Sequence, residues 1–212
     1  MSKPKCILLD LDGTLANSLN VMQKAFILFV IEFKLDSVQH SFDEFNGPPI
    51  REIIKIMKYR FSLNYSEEYL EDFYMKILLK LYAQVEIAEG AIEFIRKAKV
   101  NNCKIGLVTS SSREIVVHWL TKKEIFNEID FLVCCNDVTY GKPNPEPYLQ
   151  AINLSENDVN DIIAVEDSLH GAQSAISAGL QVYQIKNDSN IFSHPDAYQV
   201  NNFKKLSETF FD

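Results

Sequence analysis

Residues 6–14 read Cys-Ile-Leu-Leu-Asp-Leu-Asp-Gly-Thr, a short apolar run that ends in two acids and a turn. The run Cys6–Leu9 lacks an alternating polar face, which is typical of a parallel strand buried on both sides. In an extended segment, side chains two positions apart point the same way, so Asp10 and Asp12 can meet one substrate. Because Asp-Gly is also a common turn dipeptide, this stretch alone leaves an ordinary turn equally open.

Four more short apolar runs, rich in Ile, Val and Leu, follow later in the chain and alternate with helical patterns. The predicted strands are Lys104–Val108, Phe131–Cys135, Ile162–Val165 and Val182–Ile185. The helical patterns between them are Ser112–Leu120, Glu146–Asn153 and Ser168–Ala178. Buried strands that alternate with helices predict an α/β fold with a doubly wound parallel sheet.

The stretch from residue 17 to residue 86 breaks this alternation, because its patterning is helical and it contains no convincing strand. Ser66 is predicted to begin a helix in it, with two acids in the first turn and apolar residues at helical spacing afterwards. We therefore predict an all-helical insertion over residues 17–86. The α/β core is then built from residues 1–16 and 87–212.

Composition describes an ordinary globular protein and limits its partners. The 212 residues are 47% hydrophobic and 24% charged, which excludes a disordered or collagen-like chain. The formal net charge of −8 disfavours general binding to nucleic acid or to anionic membranes. No apolar run reaches the ~20 residues of a membrane span, and the start lacks a signal-peptide layout. We predict a cytoplasmic protein, a monomer by default, with no nucleic-acid or membrane partner.

Three more polar motifs follow the later predicted strands. Thr109 and Ser110 come directly after one strand and before a predicted helix, where a hydroxyl and free N–H groups can bind phosphate. Lys142 lies between a glycine and a proline after the next strand. Glu166 and Asp167 follow the strand after that. All three motifs thus lie where a parallel sheet places its active site, at the carboxyl ends of the strands.

Each motif also has an ordinary structural explanation. Ser111, with Glu114 three residues later, is predicted to form a capping box at the start of its helix. A lone lysine is commonly a surface charge, and Asp167 or Ser168 can be a helix N-cap. The shared position of the motifs is the stronger observation. Together they supply carboxylates, a hydroxyl and an ammonium, a set that fits phosphoryl transfer through a carboxylate nucleophile.

The chain resembles the haloacid dehalogenase (HAD) superfamily in four motifs that occur in order. They are DLDGTL at 10–15, LVTSS at 107–111, GKPNPEPY at 141–148 and VEDSLHGAQSAISAGLQV at 165–182. It is similar to the branch that carries a helical cap after the first strand, which includes phosphoglycolate-phosphatase-like and β-phosphoglucomutase-like enzymes. The resemblance covers nearly the whole chain. It implies a Rossmann-like catalytic core with the helical stretch as a mobile cap domain.

The resemblance implies a role for each core residue. Asp10 would attack phosphorus and form an aspartyl-phosphate, and Asp12 would act as general acid and then as general base. Thr109 and the Ser110 N–H would bind the phosphoryl oxygens, while Lys142 would offset negative charge on the nucleophile and on the phosphate. These roles predict a phosphatase that hydrolyses a small phosphate monoester.

The resemblance also implies a Mg²⁺ cofactor, because a carboxylate and a phosphate dianion repel each other unless a cation offsets their charge. Asp10 and Asp167 would supply carboxylate ligands, and Asp12 its backbone carbonyl. Glu166 would support the site directly or through water. Oxygen ligands of this kind suit a small, hard cation. The expected partner is a small phosphorylated metabolite.

The predicted cap would decide which ester reacts. Arg51, in the cap segment Phe45–Glu52, is the candidate for clamping the leaving group of the substrate. A solvated charge at a helix start explains this arginine equally well, and Lys55 is a weaker candidate. Closure of such a cap would also exclude water from the reaction.

Two alternatives stay open at this stage. The first is a sugar phosphomutase of the β-phosphoglucomutase type, although position 22 is Met where such mutases commonly carry His. The second, ranked lower, is a non-catalytic phospho-signalling or binding module. Receiver domains use a similar set of acids, hydroxyl and lysine, but they are shorter and have no helical insertion.

Overall fold

The computed structural model describes residues 3–35, 50–186 and 193–212. It divides the chain into two units. The core unit consists of Met1–Asn17 and Glu86–Asp212, and the helical unit consists of Ser18–Val85. Where the chain leaves and re-enters the core unit, Ala16 pairs with Ile87 and the Asn17 N–H donates to the Glu86 carbonyl at 3.0 Å.

In the part of the core unit that the structure describes, six parallel strands form one sheet. They are β1 Cys6–Leu9, β2 Lys104–Val108, β3 Phe131–Val133, β4 Ile162–Glu166, β5 Gln181–Ile185 and β6 Tyr198–Val200. Their order across the sheet is β3-β2-β1-β4-β5-β6, and every pairing is parallel. All four residues of β1 are buried, because its short apolar side chains pack on both faces of the sheet. The predicted α/β fold class is confirmed.

Helices connect and cover these strands. The described α-helices are α1 Leu19–Glu32, α2 Ile50–Arg60 and α3 Glu67–Tyr82 in the helical unit, and α4 Ala91–Val100, α5 Arg113–Lys122, α6 Glu146–Ser155, α7 Leu169–Ser177 and α8 Phe203–Phe210 in the core unit. Helices α6 and α7 bury a face of small and aromatic side chains, including Tyr148, Ala151 and Ala172, against the central strands. In the described ranges, no helix combines the length and apolar character needed to cross a bilayer.

The third strand is shorter than predicted. It ends at Val133, and residues Cys135–Asp137 form a 3-10 turn instead of extending the strand to Cys135. The cause is local: the Asp137 carboxylate accepts a hydrogen bond from the Cys134 N–H at 2.8 Å, so this backbone group is satisfied outside the sheet.

The helical unit has an aromatic core. Ser66 begins α3 as predicted, with its hydroxyl oxygen accepting from the Tyr69 N–H at 3.1 Å. The rings of Phe29 on α1 and Tyr74 on α3 pack edge to face, with 5.7 Å between their centroids. The predicted turn at Gly47–Pro49 lies outside the described residues.

Candidate active site

Asp10 lies immediately after β1, in the centre of the sheet, and its N–H donates to the Val165 carbonyl of β4 at 3.0 Å. The residue is 6% exposed. The chain then turns back, with the Gly13 N–H donating to the Ala16 carbonyl at 2.9 Å. Gly13 adopts a φ of 85°, in the left-handed region that favours glycine, so this turn holds Asp10 and Asp12 at the strand end.

Lys142 reaches Asp10 from the segment before α6. Its Nζ donates to Asp10 Oδ1 at 2.7 Å, to Glu166 Oε1 at 2.6 Å and to the Val108 carbonyl at 2.9 Å. The lysine side chain is 6% exposed, so its ammonium group is buried and hydrogen-bonded and is not a solvated surface charge. Burial alone would lower the pKa of Lys142, but the charges of Asp10 and Glu166 raise it above its usual value.

Three buried carboxylates lie close together, and two of them, Asp10 and Glu166, bond this ammonium. Asp10, Glu166 and Asp167 each offer an oxygen, and these oxygens lie within 4.8 Å of one another. Burial raises the pKa of Asp10 well above its usual value; Lys142 opposes this shift, and the two other acids add to it. Lys142 carries one positive charge against up to three negative ones. The cluster therefore favours a further cation with a preference for oxygen ligands, as Mg²⁺ has.

Glu166, at the end of β4, is fully buried and held from several sides. Its Oε1 accepts from the Tyr148 hydroxyl of α6 as well as from Lys142. Gly171 of α7 packs directly against it: a Cβ at that position would lie 2.1 Å from the Glu166 carboxyl carbon. A side chain there would displace the carboxylate, so close packing explains the glycine.

Asp167 is also buried, and both its side chain and its backbone are bonded. The Thr14 hydroxyl lies 3.4 Å from Asp167 Oδ1. The Gln184 side-chain amide on β5 donates to the Asp167 carbonyl at 2.9 Å, and its oxygen accepts from the His194 N–H at 3.0 Å. A neighbouring strand thus braces the backbone of a candidate metal ligand.

The segment after β2 approaches the same strand ends. Thr109 is buried, and its Oγ1 accepts from the Ser111 N–H at 3.0 Å. The Ser111 hydroxyl donates to Asp12 Oδ2 at 2.6 Å, which ties Asp12 to this segment. Ser110 lies between these two residues and its side chain is exposed. Polar side chains from the segments that follow β1 and β2 are therefore joined by hydrogen bonds.

The predicted capping box at Ser111 and Glu114 is wrong. Helix α5 begins one residue later, with Ser112 as its N-cap, and the Ser112 hydroxyl has no hydrogen-bond partner among the described residues. The Ser111 hydroxyl is directed to Asp12 instead. A capping pattern in sequence cannot show this choice, because Asp12 lies far away along the chain.

The structure places most predicted site residues at the ends of the strands of the core unit. Asp10, Lys142, Glu166 and Asp167 form one close cluster, and Ser111 bonds both Asp12 and Thr109. Arg51 lies in the helical unit, at the second position of α2, where its side chain is exposed. Lys55, one turn further along α2, is exposed as well. The part of the predicted cap segment over Phe45–Pro49 lies outside the described residues.

Several residues contact the site without being predicted there, among them Ser111, Tyr148 and Gln184. The first two stand inside the quoted motifs, so proximity to Thr109 and Lys142 was an available signal. Gln184 lies within a predicted strand, and a buried glutamine in an apolar run is itself unusual.

Comparison with known proteins gives the family. A model of the haloacid dehalogenase-like hydrolases matches residues 7–185. The chain belongs to the haloacid dehalogenase-like hydrolase family. Among relatives of this hydrolase, the 6-phosphogluconate phosphatase of Escherichia coli (strain K12) is 26% identical over 213 residues, covering 98% of this chain and 94% of its own length.

Solved structures share the fold of this hydrolase. CbbY from Rhodobacter sphaeroides, in complex with phosphate, superposes with a TM-score of 0.85 at 19% identity, over 96% of each chain. The β-phosphoglucomutase from Clostridium difficile gives a TM-score of 0.79 at 19% identity, over 96% of this chain and 93% of its own. At this identity the likeness concerns the fold alone.

The family match confirms the resemblance found in the motifs. Together with the phosphatase relative, it also confirms the predicted enzyme class, a phosphoric monoester hydrolase of the HAD type. The lower-ranked alternative, a non-catalytic module, is therefore set aside. The roles of individual site residues stay predictions.

Proposed function

We propose that this hydrolase is a Mg²⁺-dependent phosphatase that cleaves a small phosphate monoester through an aspartyl-phosphate on Asp10. The observation that carries the proposal is the buried ion-pair system at the strand ends, in which Lys142 Nζ bonds both Asp10, at 2.7 Å, and Glu166, at 2.6 Å. A buried carboxylate held in one orientation by an ammonium suits in-line attack on a bound phosphorus atom.

The residues of the chain account for both half-reactions. In the first, a bond forms between Asp10 and phosphorus, the ester P–O bond breaks, and Asp12 gives a proton to the leaving oxygen. Thr109, the Ser110 N–H and Lys142 stabilise the charge on the phosphoryl oxygens. In the second, Asp12 takes a proton from water, the oxygen of which attacks phosphorus. Phosphate leaves and the Asp10 carboxylate is restored.

The carboxylate cluster supports Mg²⁺ as the cofactor. Asp10, Glu166 and Asp167 supply oxygens close enough to share one cation, and their combined charge exceeds that of Lys142. The backbone carbonyl of Asp12 is the further ligand that we propose. When bound, Mg²⁺ supplies positive charge that offsets the repulsion between nucleophile and phosphate.

The helical stretch 17–86 is proposed as the cap that selects the ester, with Arg51 contacting the leaving group. The Escherichia coli relative, named for 6-phosphogluconate, supports a phosphorylated metabolite as substrate. A cytoplasmic location and a monomeric state stay predictions, as does the absence of nucleic-acid and membrane partners.

The proposal is tested by measuring phosphate release from p-nitrophenyl phosphate and from a panel of phosphorylated metabolites, with Mg²⁺ and with EDTA. We expect release that requires Mg²⁺ and that is fastest with one class of metabolite. A folded sample that releases phosphate from none of these esters would contradict the proposal.

The same samples separate the phosphatase from the sugar phosphomutase alternative. A mutase would interconvert hexose phosphates without net loss of phosphate, because a second sugar replaces water in the second half-reaction. Position 22, which is Met and half-buried on α1, does not favour the mutase. We expect inorganic phosphate to accumulate in step with loss of the ester.

A further inference from the structure

Ser111 makes three hydrogen bonds, and two of them connect the candidate catalytic residues Asp12 and Thr109. Its hydroxyl donates to Asp12 Oδ2 at 2.6 Å, and its N–H donates to Thr109 Oγ1 at 3.0 Å. Its carbonyl accepts from the Cys135 N–H, at 3.2 Å, in the 3-10 turn after β3. The backbone of Ser111 is thus fixed on both sides, and its hydroxyl is aimed at one oxygen of Asp12.

The hydrogen bond from Ser111 to Asp12 is short and has a carboxylate as its acceptor. A hydroxyl that donates to a carboxylate at this distance forms a charge-assisted hydrogen bond, which is shorter and stronger than a bond between neutral groups. Asp12 lies in the turn after β1 and is only half-buried, so packing constrains its side chain less than that of Asp10. A fixed donor therefore contributes directly to the orientation of the Asp12 carboxylate.

The position of α5 leaves Ser111 available for this bond. Because Ser112 is the N-cap, the capping position does not use the Ser111 hydroxyl. The bond to Thr109 has a second consequence: Thr109 Oγ1 already accepts a hydrogen from the Ser111 N–H, so its own hydroxyl hydrogen is directed away from that bond and can be donated elsewhere.

We propose that Ser111 is a positioning residue that orients Asp12 for proton transfer in both half-reactions. The inference rests on the proposed phosphatase function. Ser111 itself neither gains nor loses a proton: the proton moves from Asp12 to the leaving oxygen in the first half-reaction, and from water to Asp12 in the second. The hydroxyl holds one oxygen of Asp12 while these transfers take place.

This role predicts a dependence on the leaving group. Phenol is a weaker acid than p-nitrophenol, so phenolate needs a proton from Asp12 more than p-nitrophenolate does. Phenyl phosphate and p-nitrophenyl phosphate are otherwise similar in shape and charge. Loss of the Ser111 hydroxyl should slow the first half-reaction with phenyl phosphate more strongly, whereas the second half-reaction is common to both esters.

The experiment compares Ser111→Ala with the wild-type enzyme on both esters in the presence of Mg²⁺. We expect kcat/KM to fall about 10- to 100-fold for phenyl phosphate and about twofold or less for p-nitrophenyl phosphate. The larger loss is smaller than the loss expected on removing the acid–base residue itself, because Asp12 is still present. Rapid mixing with p-nitrophenyl phosphate should show a burst of p-nitrophenol in the variant, because water attack has become slow.

Two further variants serve as controls. Ser112→Ala removes a neighbouring hydroxyl that bonds to no described residue, and it should retain both rate constants. Ser111→Thr keeps the hydroxyl and should restore the wild-type ratio of the two kcat/KM values. If Ser111→Ala fails to fold by circular dichroism, Ser111→Cys, a poorer donor, replaces it in the same comparison.

Three outcomes would overturn the inference. If Ser111→Ala lowers kcat/KM equally for both esters, Ser111 acts in substrate binding or in local structure. If Ser111→Ala leaves both kcat/KM values unchanged and shows no burst, Ser111 has no part in proton transfer. Both results leave the proposed phosphatase standing. A wild-type enzyme that releases phosphate from neither ester would instead contradict the proposed function, and the inference with it.

Discussion

The two units of the molecule differ in whether their charged side chains are buried or exposed. In the core unit, Asp10, Lys142 and Glu166 are buried and bonded to one another at the ends of central strands. In the helical unit, the buried positions of the described helices α1, α2 and α3 are apolar or aromatic, and charged residues such as Arg51 and Lys55 lie on the surface. Burying charge is costly unless the groups are paired, and the pairing of these residues agrees with the role in the reaction that we propose for them. The difference supports the proposal that the reaction takes place in the core unit and that the helical unit determines selectivity.

The largest effect is expected at Asp10, the proposed nucleophile. Asp10→Asn should keep the fold but lower kcat by several orders of magnitude, because an amide cannot form the covalent intermediate. Steady-state assays and circular dichroism check both parts. Asp72→Asn, the same change at an exposed position of α3, is the matched control and should retain full activity. Similar losses in the two variants would remove the contrast between the units.

The next largest effect is expected at Lys142. Lys142→Met leaves Asp10 and Glu166 buried without their ammonium, so kcat should fall by about 10²- to 10³-fold. The free energy of unfolding should fall by about 3 kcal/mol, the usual scale for breaking a buried ion pair. Denaturant titrations and kinetics measure the two effects separately. A variant as stable and active as the wild type would show that this ion pair is incidental.

A smaller effect, on Mg²⁺ binding, is expected at Gln184, which bonds the backbone of Asp167. Gln184→Leu removes the bond to the Asp167 carbonyl and should weaken Mg²⁺ binding about tenfold, as loss of an outer hydrogen bond commonly does. The readout is the Mg²⁺ concentration that half-saturates the rise in melting temperature. Gln181→Leu, an exposed position on the same strand, should leave that concentration unchanged. If the half-saturating Mg²⁺ concentration of Gln184→Leu equals that of the wild type, the bond from Gln184 does not contribute to Mg²⁺ binding by Asp167.

The smallest effect is expected in the helical unit. Arg51→Ala should raise KM for the preferred metabolite about fivefold or less, because interactions of exposed charges are commonly worth about 1 kcal/mol or less. Its kcat with p-nitrophenyl phosphate should not change. Lys76→Ala, at an exposed position of α3, is the control and should leave KM unchanged. A large loss of kcat in Arg51→Ala would place part of the chemistry in the helical unit and break the comparison.

Much of the core unit could be predicted from its sequence. The bounds predicted for β1 and β2 agree with the structure, since a strand buried on both faces is a continuous apolar run that sequence alone reveals. Parallel strands then place the residues after Leu9, Val108 and Val165 at one edge. The convergence of the acids and Lys142 follows from that topology.

Other features depend on contacts between distant parts of the chain. Strand β6, at the edge of the sheet, was not predicted, because Tyr198 and Gln199 are exposed and give no apolar run. The bond from Ser111 to Asp12 joins the segments after β2 and β1, and the bond from Gln184 to Asp167 joins β5 to the segment after β4. Local patterns report caps and burial, but they do not report which of several polar partners a side chain selects.

The most direct test of the account is to trap the covalent intermediate. The enzyme is mixed with Mg²⁺ and p-nitrophenyl phosphate, quenched in acid within milliseconds, digested and analysed by mass spectrometry. We predict a phosphorylated peptide that contains Asp10, absent when Asp10 is replaced by Asn. A phosphoryl group found on another residue, or rapid turnover with no phosphorylated peptide at any quench time, would contradict the assignment of Asp10 as the nucleophile.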